Sequence, residues 1–320
     1  MRLKSLLLAA GIGLWTATSA LLPHASAAPA EKVTIMLDWF VNPDHAPLVI
    51  AKAKGFFADE GLDVDLQAPA DPNDPPKLVA AGKADLAVSY QPQLHLQAAE
   101  GLPVVRVGTL VATPLNSVVA LKGGPIASLK DLKGRKIGYS VGGFEDAVLG
   151  AMLESAGLKL SDVELVNINF SLSPAIYAGQ VDAVIGAFRN FELNQMDLAG
   201  KPGIAFYPEE NGVPAYDELI LIARKDRANA PALKKVLAAS ERAVQYILNH
   251  PADAWDAFAK AYPELNDDLN KRAWTDTLPR LALRPAALDS GRYQRFAEFL
   301  KQRGLIKDIL PVEQYAVTVR

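Results

Sequence analysis

Apolar runs and amphipathic stretches alternate along this chain, and they predict a succession of strands and helices. The run Val33–Leu37 is typical of a buried strand, and a helix is expected from Ala46 to Lys54, where Gly55 ends it. Further apolar or alternating runs predict strands at residues 63–66, 85–88, 104–111, 117–121, 135–139, 164–168, 182–185 and 216–223. From Pro231 the pattern is helical almost to the end. Strands that alternate with helices indicate the α/β class.

Two segments of the chain share one local pattern. Residues 81–88 and 178–185 both run from a helix end through a glycine, two further residues and an aspartate into a buried strand. Each is followed by a turn that carries aromatic and polar side chains. The recurrence predicts one βαβ unit per lobe, with two strand-end turns that face each other across a cleft. Because A-G-x-x-D is also a common helix-to-strand turn, coincidence remains the alternative.

This organisation divides the chain into two lobes. We expect one lobe to consist of residues 28–119 and 217–320 and the second to consist of residues 120–216. The turn Lys122–Pro125 is expected to act as a hinge, and the C-terminal helices are expected to pack on the first lobe.

The first 27 residues have the pattern of a signal peptide. Arg2 and Lys4 precede an apolar stretch at residues 6–22, and Ala25–Ala27 matches an A-x-A cleavage site. A membrane anchor is the alternative, but polar residues interrupt the apolar stretch, which lies at the low end of spanning length. We therefore expect cleavage after residue 27 and export to the periplasm.

Composition narrows the possible chemistry. The chain has 320 residues and no cysteine, which excludes disulfides, a thiolate nucleophile and the lipid anchor of bacterial lipoproteins. It carries 36 acidic and 33 basic residues, and this acidic balance argues against nucleic acid as a partner. His45, His95 and His250 are isolated, and there is no G-x-S-x-G elbow. The sequence therefore favours binding, without a metal or cofactor, over catalysis.

The first candidate site follows the first predicted strand. Asp38, Trp39, Asn42 and His45 lie where that strand ends and a helix begins. In open α/β sheets ligands bind outside the carboxyl ends of the strands. An indole face together with acid and amide groups suits a small, flat, polar molecule. A core tryptophan with Asn42 or Asp44 as a helix cap is the alternative.

The second candidate lies in the other lobe. Gly142 and Gly143 separate a strand from a helix, and Phe144 and Glu145 follow them. Two glycines let backbone N–H groups approach a ligand closely, at a helix N-terminus that favours an oxygen atom. From these residues alone, a plain tight turn is the simpler interpretation.

Four stretches resemble the family that groups thiamine-pyrimidine binding proteins with pyrimidine-precursor synthases. They are L-D-W-F-x-N-P-D-H-x-P-L at 37–48, K-G-F-F-x-x-E-G-L-D-V at 54–64, S-L-K-D-L-K-G-R-K-I-G at 128–138 and F-Y-P-E-E-x-G-V-P-x-Y-x-E-L at 206–219. The resemblance covers nearly all of the chain after residue 27. It implies a type II-like, two-lobed periplasmic-binding-protein fold with two crossover strands and C-terminal helices. It also implies a receptor, not an enzyme, that passes a thiamine-precursor pyrimidine such as formylaminopyrimidine to an ABC permease. We expect this receptor to be a monomer.

The resemblance also implies which residues meet the ligand. Aromatic side chains are expected to stack on the pyrimidine, with Asn190 and Glu192 near the ring. A carboxylate can accept from an exocyclic amine or pair with a protonated ring nitrogen; Glu192 is the first choice for this role and Asp38 the second. Tyr90 and Tyr216 are further candidates, and either can instead belong to the core.

The resemblance leaves other functions open. Synthases of this family hold pyridoxal phosphate on a lysine, followed one helical turn later by a histidine, and have a cysteine-rich iron segment. Here Ser89 and Gln93 occupy the lysine and histidine positions, so a synthase is disfavoured. Related receptors take riboflavin, nitrate, taurine or other sulfonates. An anion receptor needs cations in its cleft, and Arg189 is the only obvious candidate.

Overall fold

The computed structural model describes residues 29–319, and its ten strands form two five-stranded sheets. The strands are β1 (Glu31–Met36), β2 (Leu62–Gln67), β3 (Leu86–Ser89), β4 (Val104–Val111), β5 (Asn116–Leu121), β6 (Lys136–Tyr139), β7 (Glu164–Asn167), β8 (Ala183–Phe188), β9 (Gly203–Phe206) and β10 (Leu219–Arg224). The α-helices are α1 (Ala46–Ala53), α2 (Phe56–Asp59), α3 (Pro75–Ala80), α4 (Gln91–Ala99), α5 (Glu145–Ser155), α6 (Leu172–Tyr177), α7 (Glu192–Leu198), α8 (Pro231–Asn249), α9 (Pro251–Ala261), α10 (Asp268–Thr277) and α11 (Ser290–Gln302). The predicted signal peptide lies outside the described residues.

The two sheets have the same arrangement. The first has the order β2-β1-β3-β10-β4 and the second β7-β6-β8-β5-β9. In each sheet three parallel strands are followed by one antiparallel strand, β10 in the first and β5 in the second. The repeated sequence pattern leads into β3 and β8, which occupy equivalent third positions.

The chain crosses between the sheets twice. It leaves the first sheet after Val111, enters the second at Asn116, and returns between Phe206 and Leu219. The carboxylate of Glu218 joins both crossings, because its Oε2 accepts from the backbone N–H groups of Leu115 at 2.6 Å and Asn116 at 2.9 Å.

The position of β5 differs from the sequence-based expectation. All of β5 lies in the second sheet, whereas the expected division between residues 119 and 120 falls inside it. The turn Lys122–Pro125 follows β5 within the second sheet, so the expectation that it connects the lobes as a hinge is wrong. The reason is that Asn116 already pairs with Phe188 of β8.

Glycine and proline mark several of the helix ends. Gly55 and Gly82 adopt φ values of 78° and 69°, the left-handed conformation that commonly ends a helix. Pro75 begins α3, at the first helical position, where the N–H group that proline lacks would have no partner within the helix. Asp74 precedes it, but its side chain makes no capping hydrogen bond and instead lies 3.6 Å from the Lys77 ammonium group.

The C-terminal helices mostly pack on the first sheet's side, as predicted. Helix α8 buries Leu233, Val236, Leu237 and Val244 and lies against α1 and α2. Helix α10 also contacts α7, which follows a strand of the second sheet. Among the helices of residues 29–319, none is both long and apolar enough to cross a membrane.

Candidate ligand-binding site

A small cavity of about 30 Å³ lies between the strand-end turns of the two sheets. From the first sheet's side it is lined by Asp38, Trp39, Asn42, Asp44 and Tyr90. From the second sheet's side it is lined by Phe144, Glu145, Leu172, Gly186, Phe188, Phe191 and Glu192. We call this space the inner cavity. Seven of the twelve residues predicted for the site line it: Asp38, Trp39, Asn42, Tyr90, Phe144, Glu145 and Glu192.

Hydrogen bonds fix the carboxylate of Asp38. His45 Nε2 lies 2.7 Å from Asp38 Oδ1, and the Tyr90 hydroxyl donates to Asp38 Oδ2 at 2.9 Å. The backbone N–H of Asn42 donates to His45 Nδ1 at 3.3 Å. Because Nδ1 accepts, the proton of the imidazole belongs on Nε2, and Asp38 accepts from both neighbours. His45 is fully buried and does not line the inner cavity; it orients Asp38.

Asn42 is the helix cap, and Asp44 has another role. Asn42 Oδ1 accepts from the backbone N–H of Asp44 at 2.8 Å. Asp44 Oδ1 instead accepts from Asn190 Nδ2 at 2.6 Å and from the Thr277 hydroxyl at 2.8 Å. Burial raises the pKa of Asp44 to about 6. Asn190 is thus tied to the opposite side of the cleft and lies outside the inner-cavity lining.

Glu145 enters the cavity at the N-terminus of α5. Its Oε2 accepts from the Ser140 backbone N–H at 2.7 Å, and burial raises its pKa to about 8. Gly186, in β8, has a φ of 99°, and a Cβ atom there would overlap the Glu145 carboxyl group. A glycine is therefore needed at this position for the carboxyl group to fit.

Glu192 occupies the equivalent place at the start of α7. Its Oε2 accepts from the Phe188 backbone N–H at 2.7 Å, and burial raises its pKa to about 8, with the Asp44 charge adding to the effect. Within residues 29–319, Asp44 Oδ2, Glu145 Oε1 and Glu192 Oε1 accept no hydrogen bond. Each of these lining residues therefore has a carboxyl oxygen available to a ligand.

Aromatic rings from both sides meet at the cavity. Tyr90 and Phe144 stack with ring centroids 5.0 Å apart and planes 21° apart. Trp39 meets Phe170 edge to face at 4.6 Å. Both pairs join the first sheet's side to the second's, so aromatic contacts help to hold the cleft together.

The remaining predicted residues lie away from the inner cavity. Gly142 and Gly143 line a larger cavity of about 800 Å³, which shares Phe144 with the inner one. The Gly142 N–H donates to Asn73 Oδ1 at 3.0 Å, so a protein side chain engages that donor. Tyr216 is fully buried and packs edge to face on Phe296, as its core alternative predicted.

No lysine or arginine lines the inner cavity among the described residues. Arg189, the cation considered for an anion site, pairs with Glu209 through two contacts of 2.5 and 2.9 Å. Its guanidinium also stacks over the Tyr207 ring at 3.9 Å. The inner cavity therefore combines aromatic walls with carboxyl groups and has no cation to balance them.

Ser89 and Gln93 also lie outside this lining. The Ser89 hydroxyl donates to Gln93 Oε1 at 2.9 Å, and both side chains are buried. No group of three potential metal-ligating side chains occurs within residues 29–319.

Sequence reasoning missed several lining residues. Gly186 had a usable signal, since a lone glycine inside an apolar strand often marks close approach of another group. Asp44 was considered only as a cap. Leu172 and Phe191 look like ordinary apolar residues of their elements, so nothing distinguished them, whereas Phe188 belongs to the aromatic and polar turn that follows residues 178–185.

Two sheets of equal strand order, joined by two crossings around a central cavity, define the periplasmic-binding-protein fold. Two solved structures share it. The alkanesulfonate-binding protein of Xanthomonas axonopodis pv. citri, bound to MOPS, has a TM-score of 0.72 at 17% identity, covering 91% of this chain and 99% of that one. A Candida albicans protein described as having the generic periplasmic binding protein fold has a TM-score of 0.71 at 18% identity, covering 92% and 97%. The predicted fold class is confirmed.

The chain belongs to the NMT1/THI5-like family, whose model matches residues 42–254. A Haemophilus influenzae protein whose name places it in thiamine biosynthesis is 59% identical over 290 residues, 90% of this chain and 92% of that protein. The formylaminopyrimidine-binding protein of Halalkalibacterium halodurans is 36% identical over 78% of this chain and 76% of its own. A 4-amino-5-hydroxymethyl-2-methylpyrimidine phosphate synthase of Legionella pneumophila is 29% identical, covering 78% and 79%. The predicted family is confirmed, and fold and relatives together support a substrate-binding receptor.

Proposed function

We propose that this protein is the periplasmic receptor of an ABC importer and binds a thiamine-precursor pyrimidine of the formylaminopyrimidine type without transforming it. The observation that carries the proposal is the inner cavity, where aromatic walls enclose unpaired carboxyl oxygens and no cation. An aminopyrimidine offers the matching groups: a flat ring, an amine that donates and a weakly basic ring nitrogen. The named ligand of the Halalkalibacterium halodurans relative has this chemistry.

The protonation of Glu192 and Glu145 suits such a ring. With a pKa of about 8, each carboxyl group is protonated in the empty cavity at neutral pH. Either one can donate its proton toward a ring nitrogen or, once ionised, accept from the amine. Asp38 already accepts from His45 and Tyr90, so we assign it a structural role: it keeps these two side chains in position at the border of the site.

Opening and closing of the two lobes is part of this proposal, because the cavity is too small to admit the ligand as it stands. About 30 Å³ holds one or two water molecules, and a six-membered ring with substituents needs more room. The lobes must therefore separate for the ligand to enter, and they then close around it with a wider space between them than in this structure. The free energy of closure then comes from the ligand's contacts with both lobes.

Isothermal titration calorimetry on protein that starts at residue 28 tests the proposal. We expect micromolar or tighter binding of formylaminopyrimidine or hydroxymethylpyrimidine. Glu192→Gln should weaken it about 10- to 100-fold, since glutamine cannot ionise, and the hydrogen bond that an ionised Glu192 makes to the protonated ring or its amine contributes about 1.5–3 kcal/mol. Trp39→Ala should weaken it as well, and Glu210→Gln, on an exposed turn, serves as the matched control. No heat with either pyrimidine would overturn the proposal.

The same titration separates the alternatives. Nitrate and taurine should give no heat, because an anion would face carboxyl groups and Arg189 is paired with Glu209. Riboflavin, with three fused rings, is the comparator for size. For the synthase alternative, addition of pyridoxal phosphate should give no Schiff-base absorption, since no lysine is among the residues that line the inner cavity.

A further inference from the structure

One buried carboxyl group joins the two crossings between the sheets. Glu218 lies in the returning crossing, directly before β10, and is fully buried. Its Oε2 accepts from the backbone N–H groups of Leu115 and Asn116, where the first crossing ends. These two hydrogen bonds fix the start of β5 relative to the returning crossing.

The side chain of Asn116 extends this connection into the second sheet. Asn116 is fully buried, and its Oδ1 accepts from the backbone N–H of Gly186 in β8 at 2.9 Å. The pairing of β5 with β8 shifts register between Ser117 and Val119, where two steps along β5 face three along β8. β8 therefore carries one extra residue there, which makes a β-bulge. The Asn116 amide thus binds the backbone at the bulge.

The bulge meets a carboxyl group of the inner cavity. Gly186 lines that cavity, and its backbone passes so close to Glu145 that a Cβ atom would lie 2.7 Å from the carboxyl carbon Cδ. Glu145 Oε2 also accepts from the Ser140 N–H at 2.7 Å. The carboxyl group is therefore confined by the bulge as well as by this hydrogen bond. A shift of the bulge changes the space that is available to it.

Charge couples the same residues. The groups able to carry a charge that face the Glu145 carboxyl group are Glu218, Asp146 and Tyr90. Burial raises the pKa of Glu145 to about 8, and the charges of Glu218 and Asp146 add to this effect. The N–H groups of Ser140 and Val141 lower that pKa in part. Glu218 therefore influences Glu145 through its charge as well as through Asn116 and Gly186.

A second connection between the crossings does not lead to the inner cavity. The Arg189 guanidinium group donates to the carbonyl oxygens of Leu115 and Asn116, each at 3.4 Å. It also pairs with Glu209 in the returning crossing. Neither Arg189 nor Glu209 lines the inner cavity. This ion pair therefore provides an internal comparison for the connection through Glu218.

We propose that Glu218 and Asn116 are positioning residues of the ligand-binding site. Together they hold the bulge at Gly186 against the Glu145 carboxyl group, and so they couple the connection between the lobes to a carboxyl group that is available to the ligand. This inference rests on the proposed function, because it assigns Glu145 to the ligand. The position of Glu145 is nevertheless a property of the ligand-free protein and can be measured there.

Carbon-13 NMR of glutamate-labelled, ligand-free protein follows the ionisation of Glu145, whose signal is identified by its loss in Glu145→Gln. We expect Asn116→Ala to lower the pKa of Glu145 from about 8 toward its ordinary value of 4.5, because the released bulge gives the carboxyl group more contact with water. Ser117→Ala is the matched control, since this buried hydroxyl donates to the Ala187 carbonyl oxygen at 2.7 Å, one residue further along β8. An unchanged pKa in Asn116→Ala, or an equal decrease in Ser117→Ala, would overturn the inference.

Glu218→Gln tests the coupling without a change of side-chain shape. The amide oxygen can still accept from Leu115 and Asn116, so the variant removes the charge and keeps the fold. Because the charge of Glu218 raises the pKa of Glu145, we expect that pKa to fall in this variant as well. If it stayed at about 8, the role assigned to Glu218 would be wrong.

Calorimetry with formylaminopyrimidine extends the test to binding. Asn116→Ala should weaken binding about 5- to 30-fold, although Asn116 lies outside the lining, and should change it less than about twofold when Glu145→Gln is already present. Glu209→Gln, which weakens the other connection, should have the same effect in both backgrounds. Equal losses from Asn116→Ala with and without Glu145 would overturn the coupling and leave the receptor function standing. Absence of pyrimidine binding would overturn the proposed function alone, since the NMR result judges the positioning independently.

Discussion

Asn190 and Asp44 are 146 positions apart in the chain, yet Asn190 Nδ2 donates to Asp44 Oδ1 at 2.6 Å. Asn190 follows a strand of the second sheet, and Asp44 follows a strand of the first. Thr277 donates to the same oxygen from the end of α10. All three residues are buried. The hydrogen bonds between Asn190 and its two partners exist only while the strand-end turns are together, so they stabilise the closed cleft.

Removal of the Asn190 amide should favour the open form. Asn190→Ala loses its bonds to Asp44 and Thr277, a loss of about 1–2 kcal/mol. We expect a larger radius of gyration in solution scattering and ligand binding weakened about 5- to 30-fold. The control is Asn249→Ala, at an exposed residue that ends α8. Unchanged scattering together with unchanged affinity would show that these bonds do not stabilise closure.

Glycine at position 186 should be essential for the site. Gly186→Ala would bring a Cβ atom against the Glu145 carboxyl group, in a backbone conformation with a φ of 99°. We expect a loss of about 1–3 kcal/mol in unfolding free energy, measured by urea denaturation, and a loss of ligand binding. Gly150→Ala in α5 is the matched control, because its nearest neighbour would be 3.9 Å away. That change should be neutral or slightly stabilising. Similar stabilities for the two variants would contradict the close approach of Glu145.

Tyr90→Phe isolates one hydrogen bond of the Asp38 network. The variant keeps the ring that stacks on Phe144 and removes the hydroxyl that donates to Asp38. We expect the unfolding free energy to fall by about 1–2 kcal/mol, since Asp38 loses a buried donor. Tyr207→Phe provides the comparison, because that tyrosine is only half-buried. Equal stability of Tyr90→Phe and the unmodified protein would mean that the hydroxyl contributes nothing.

The stability of the ligand-free protein should fall as the pH rises from 6.5 to 8. The folded-state pKa values of Glu145 and Glu192, about 8, lie above the ordinary value of 4.5. The folded protein therefore holds more protons than the unfolded chain in this window, and a rise in pH favours unfolding. Glu218, with a pKa raised to about 7, acts in the same direction.

Melting temperatures across this pH range measure the effect. Glu145→Gln and Glu192→Gln should each flatten the decrease, and Glu210→Gln should not. The window starts at 6.5 because buried His95, whose pKa is lowered to about 3, destabilises the fold as the pH falls below its ordinary value of 6.5. Asp44, raised only to about 6, has little effect above that pH. A melting temperature that rises toward pH 8 would contradict the assignment.

Local signals in the sequence predicted much of the fold. An apolar run predicts β1, and Gly55 predicts where α1 ends. Both signals act within a few residues of the chain. The sheet to which β5 belongs was not predictable in this way. Its apolar pattern fits either sheet, and the choice depends on its pairing with β8 and β9, far away in the sequence.

The same contrast holds at the site. Asp38 and Trp39 could be placed at a strand end because they directly follow an apolar run. Asp44 could not be assigned its role, since a local rule makes it a cap while its partner Asn190 lies 146 positions away. Tyr216 was a candidate because of its motif, but the motif does not reveal that Phe296 covers its ring.

The position of β10 has a consequence for the order in which the chain can fold. All five strands of the second sheet lie within residues 116–206, a continuous stretch. The first sheet has β10 between β3 and β4, so these two strands are not neighbours until residues 219–224 have joined them. A chain that lengthens from its N-terminus can therefore complete its second sheet while its first is still in two pieces, with β3 and β4 each lacking one neighbour until β10 arrives.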